Sequence, residues 1–165
     1  MLLYRSAFLL AVLCVFLGSC TNAIVTADRE TFENERTAWN ALELQNYQFT
    51  YQYFGASIGP FGPYTITVRE NEETLVENTG RHADELTFKT IGELYSYIQH
   101  MFDLIEGIKN KSSEAQNIHS ITIDIQYDPQ YHFPAETTVS TVYADQRVGG
   151  TSNYTILVST FTPLN

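Results

Sequence analysis

Cysteine is nearly absent from this 165-residue chain, with Cys14 and Cys20 the only two. Cys14 falls inside an apolar segment, so a disulfide framework is excluded and stability must come from an ordinary core, which a chain of this length can build. Basic residues are also scarce: nine Lys and Arg stand against 19 Asp and Glu. A nucleic-acid surface needs clustered cations. Here they are scattered singly, with Lys109 and Lys111 the nearest approach to a pair, and nucleic acid is excluded as a partner. A membrane-spanning run is missing as well, because the apolar stretch from Ala7 to Phe16 is shorter than the roughly 18 residues a span requires. Several reaction signatures are lacking too. No Gly-x-Ser-x-Gly elbow occurs, and Gly55, Gly59 and Gly62 are spaced too loosely for a phosphate-binding loop.

The apolar segment that is present carries information through its ends. Arg5 precedes it and Leu17-Gly18-Ser19-Cys20 closes it, the layout of a secretory signal peptide. Those four residues resemble the lipobox of bacterial lipoproteins. The resemblance implies cleavage before Cys20, loss of residues 1–19 as a signal peptide, and lipid attachment to Cys20, with Leu17, Gly18 and Ser19 read by the signal peptidase. Removing Arg5 leaves eight basic residues against 19 acidic, a net charge of −11, which repels anionic headgroups. Thr21, rather than Asp, follows Cys20, similar to lipoproteins sorted to the outer membrane in hosts that have one. Residues 20–28 then read as a small, polar tether reaching about 25 Å at full extension, and residues 29–165 as a single domain.

Within that domain the hydrophobic period changes along the chain. Phe32, Trp39 and Leu42 share a helical face that Asp28 can cap and Asn46 should end. From Tyr47 to Tyr53 aromatic and polar residues alternate, which is strand spacing. Gly55 to Pro63 reads as a connection. Tyr64 to Arg69 and Thr74 to Glu77 read as two further strands joined at Glu70-Asn71-Glu72, and residues 78–89 as a loop. Thr90 can cap a second helix with Ile91, Leu94, Tyr95, Ile98, Met101, Phe102 and Ile105 on one face. Three strands follow: Ile118 to Tyr127, a segment from Phe133-Pro134 through Thr141, and Tyr154 to Thr160, with Pro163-Leu164-Asn165 a frayed end. The expectation is an α+β fold of order helix-βββ-helix-βββ, a curved antiparallel sheet with both helices on one face.

The tryptophan helix, Tyr47-x-Phe49-x-Tyr51, Ile66-x-Val68, Thr90-Ile91-x-x-Leu94 and Tyr127-Asp128-Pro129 followed by Phe133-Pro134 resemble a bacterial family of small exported lipoproteins of unknown function. The resemblance spans most of the domain and implies a fold and an address, with no reaction attached. Many members place a cysteine pair after the first strand and a Gly just before the aromatic-Pro step. Here no cysteine follows Phe54, and His132 stands at the Gly position, where a turn with positive φ would disfavour it.

Candidate chemistry is sparse. Asp124, Asp128, His132 and Glu136 would make a divalent-metal cluster if they converged around Pro129, yet Asp before Pro is ordinary turn chemistry and His132 has no second histidine at ligand spacing. His82, His100 and His119 are scattered, and Ser96 and His100 lie at helical spacing on a surface. The stretch with Phe54, Ile58, Phe61 and Tyr64 among glycines and prolines invites a partner; alternatively Phe61 folds back to shield the sheet edge. The resulting expectation is a membrane-anchored envelope module for binding or structural contact with another envelope component, with no catalytic residues, no metal and no cofactor. Two alternatives stand beside it: a small-ligand carrier or inhibitor, and a metal-dependent hydrolase using Asp128 and His132.

Overall fold

A computed structural model describes residues 27–55, 59–78, 88–145 and 150–165. The lipobox residues Leu17, Gly18, Ser19 and Cys20, together with Ile58 and His82, lie outside the described residues.

Helix α1, Arg29–Ala41, starts where Asp28 accepts the Glu30 and Thr31 amides on its carboxylate oxygens at 3.3 and 3.2 Å. These bonds hold the Asp28 carboxyl below the usual carboxylate range. The helix stops well before Asn46, the expected end, because Glu43 takes a left-handed φ of 50°. Asn46 is a junction instead. Its side chain accepts the Glu70 amide at 3.1 Å and its carbonyl accepts the Leu164 amide at 2.9 Å.

Strands β1 (Tyr47–Gly55), β2 (Gly59–Arg69) and β3 (Glu72–Asn78) form one antiparallel meander. Helix α2, Ile91–Lys109, is capped by Thr90, whose hydroxyl accepts the Glu93 amide at 3.0 Å. A second meander follows with β4 (Ile118–Tyr127), β5 (Pro134–Tyr143) and β6 (Thr151–Pro163). Strand β6 pairs with β1, so the two halves fuse into one curved antiparallel sheet of order β3-β2-β1-β6-β5-β4. The α+β architecture expected from the sequence is the one found.

Alternation decides which side is buried. Tyr47, Phe49 and Tyr51 of β1, Tyr64, Ile66 and Val68 of β2, and Ile121 and Ile123 of β4 join Val139, Ile156 and Val158 beneath Phe32 and Trp39 of α1 and Ile91, Leu94, Tyr95, Ile98 and Phe102 of α2. Rings fill much of this layer, as where Phe32 meets Phe102 at 5.1 Å and Trp39 meets Tyr47 edge-on at 5.5 Å. The opposite face carries hydroxyl and amide side chains bonded across strands, including Gln48 to Thr67 and Ser140 to Asn153.

Three expectations need correction. The Gly55 to Pro63 stretch is largely strand: β2 begins at Gly59 and pairs with β1 from there, Pro60 opposite Phe54 and Phe61 opposite Tyr53. Pro63 falls at the register shift between the Tyr51–Tyr64 and Tyr53–Phe61 pairs, an irregularity that tolerates a residue without an N–H. Phe88, expected in a loop, is core, edge-on to Tyr51 at 4.8 Å. The C-terminus is tied down rather than frayed, through Leu164 and through Arg69, whose guanidinium donates to the Asn165 carbonyl at 3.1 Å.

Candidate functional site

The turn between β4 and β5 organises itself around Asp128. Its Oδ1 accepts the amides of Gln130 and Tyr131 at 2.9 and 2.7 Å, while the His132 amide donates to the Asp128 carbonyl at 2.9 Å. His132 adopts a φ of 64°, so the positive-φ turn exists with histidine in the place of glycine. Two contacts hold it there. The ring Nδ1 lies 2.9 Å from Glu35 Oε2 on α1, and the backbone carbonyl accepts the Tyr95 hydroxyl from α2. The Asp128 carboxylate is thus occupied by backbone amides, and the His132 ring turns to Glu35. Asp124 and Glu136 belong to the opposite face of the sheet, paired through Thr138 and Gln126 respectively. The four residues do not converge, and among the described residues no group of three His, Cys, Asp or Glu is arranged to hold a metal.

The Glu35–His132 pair is itself half-buried, the two side chains being 28% and 35% exposed. Burial pushes the Tyr95 and Tyr127 phenols up from their ordinary value, and the Glu35 charge adds to both shifts. Each therefore stays protonated at neutral pH. The Tyr127 hydroxyl is buried without a hydrogen-bond partner among the described residues. A carboxylate orienting an imidazole is half of an acid–base relay. Tyr95, however, donates to the His132 backbone rather than the ring, and the cluster's evident effect is to fasten α1, α2 and the turn to one another. Ser96 donates to the Gly92 carbonyl at 3.0 Å, not to His100, which instead lies 3.8 Å from Glu114.

At the β1–β2 hairpin the three described residues of that set, Phe54, Phe61 and Tyr64, part ways. Phe54 is 38% exposed, whereas Phe61 is partly buried with its ring 5.8 Å from Tyr53. Tyr64 is 1% exposed and stacks on its cross-strand partner Tyr51 at 6.0 Å. Tyr64 is therefore core rather than partner-binding surface, because the register places it on the helix side. Phe61 belongs to β2, opposite Tyr53, and packs against the core cluster.

The N-terminal end of the described chain is docked. The Ala27 amide donates to the Ile123 carbonyl of edge strand β4 at 2.6 Å, and Arg29 pairs with Asp103 of α2 at 3.0 Å. Among the described residues no helix is long and apolar enough to cross a membrane. On the far side of the molecule a cleft of about 430 Å³ opens beside Trp39.

A model for a family of unknown function, DUF6174, matches residues 31–161, and the chain belongs to that family. No curated protein matches the chain. The matched span contains both helices almost whole and all six strands but the last two residues of β6. Sequence reasoning missed the Glu35–His132 pair and the Trp39 cleft. Each joins segments distant in the chain, and no spacing rule links them.

Proposed function

We propose that this domain is held on a bacterial envelope membrane by lipid on Cys20 and serves there as a binding or structural module for another envelope component. One observation carries the reading. The lipobox-like Leu17-Gly18-Ser19-Cys20 stands seven residues before Ala27, where the chain is already bonded to β4, and Asp28 at once caps α1. A lipidated cysteine so close to the fold suits a domain held beside a membrane. Each buried methylene of an attached chain contributes about 0.8 kcal/mol, so several chains make the attachment stable. Confinement then raises the local concentration of the domain near membrane-bound partners. Thr21 after Cys20 favours the outer membrane where the host has one. Exposed Phe54 at the hairpin is the aromatic the domain offers to a partner.

The test is a pull-down from detergent-solubilised envelopes of cells producing the wild type, Cys20→Ala or Phe54→Ser, read by mass spectrometry. One envelope component should co-purify with the wild type, disappear with Cys20→Ala and diminish with Phe54→Ser. Equal recovery from all three would sink the proposal.

A further inference from the structure

The cleft beside Trp39 is built where the end of α1, the linker to β1 and the β2–β3 turn meet, and it is lined by Trp39, Asn40, Glu43, Leu44, Gln45 and Asn71. Its volume of about 430 Å³ lies within the range of small-molecule sites. The walls are cross-linked: the Asn71 amide donates to the Gln45 carbonyl at 3.0 Å, and the Glu70 amide to Asn46 Oδ1 at 3.1 Å. Trp39 is 7% exposed and fixed between Tyr47 and Phe161, so its place in the wall is set. Three non-glycine residues at this rim are left-handed, Glu43 at φ 50°, Glu70 at 53° and Asn71 at 64°. A two-residue hairpin accounts for Glu70 and Asn71. Glu43 follows the Leu42 C-cap, and its left-handed turn ends α1 and aims the chain along the cleft.

The lining has a definite chemistry. Asn40, Gln45 and Asn71 each present a donor and an acceptor, Glu43 presents acceptors alone, and the apolar part of the lining is small, the exposed edge of Trp39 with Leu44. Among the described residues no lysine or arginine lines the cleft, and the last carbonyls of α1 place the negative end of the helix beside it. Anions are therefore disfavoured. A single carboxylate among three carboxamides offers mixed hydrogen bonding rather than a cation cage. We propose that this cleft binds a neutral sugar, as one or two rings of an oligosaccharide. Sugar hydroxyls donate to Glu43 and the amide oxygens and accept from the amide nitrogens, with the edge of the buried indole in the wall beside them. The proposal stands whether or not Cys20 carries lipid.

Trp39 is the only tryptophan in the chain, so its fluorescence, excited where tyrosine does not absorb, reports on the cleft directly. The full chain is titrated with tri-N-acetylchitotriose, maltotriose and, as a cationic comparison, putrescine. Saturable change with at least one of the two sugars is expected. Glu43→Gln, which removes a charged acceptor, should weaken it about tenfold. Asn71→Gly keeps the left-handed turn while deleting the carboxamide and should weaken it also. The proposal is overturned by no response to either sugar, by saturation with putrescine alone, or by sugar binding that neither variant alters.

Discussion

His132 holds a backbone conformation that glycine adopts freely and other residues adopt at a cost of roughly 1–2 kcal/mol. Its ring contact with Glu35 and the Tyr95 bond to its carbonyl are what compensate, in a setting too exposed for the ring contact to be worth more than about 1 kcal/mol. Two variants separate these contributions. Both His132→Ala and His132→Gly lose the ring, but only alanine keeps the conformational strain, so His132→Gly should be the more stable by about 1 kcal/mol in urea unfolding. Equal stabilities would show that the turn relaxes when the ring is gone. The turn itself was readable from Asp128-Pro129, since Asp side chains bond to amides two and three residues on. The Glu35 partner was not, because the two residues lie 97 positions apart.

Helix α2 was the most legible element, with apolar positions at every helical interval and a capping threonine ahead of them. The cap works as a pair. Thr90 accepts the Glu93 amide, and Glu93 Oε2 accepts the Lys89 amide at 2.6 Å, close to a capping box. Thr90→Ala should cost about 1 kcal/mol by thermal or urea unfolding, and an unchanged midpoint would mean that the helix start is held by packing alone. Where the sequence misled, tertiary context was the reason. Prolines and glycines suggested a loop before Tyr64, but β2 pairs with β1 from Gly59 onward, and a register shift takes up Gly62 and Pro63. The end of α1 was missed because a left-handed glutamate leaves no mark in a hydrophobic period.

For the whole molecule, the local order of elements was legible while the joining of the halves was not. No sequence signal says that β1 pairs with β6, and that pairing makes one sheet from two meanders. It also puts β4 at the end of the strand order among the described residues, where Ala27 docks. Ala27 is docked on β4, so if Cys20 carries lipid only six residues lie between the two, a span of at most roughly 20 Å. The most direct measurement of the central claim is the intact mass of the protein extracted from cell membranes, beside a Cys20→Ala variant. The account predicts a wild-type chain that begins at Cys20 and carries fatty acyl groups, and a variant without them. A membrane-derived chain that begins elsewhere and bears no lipid would contradict it.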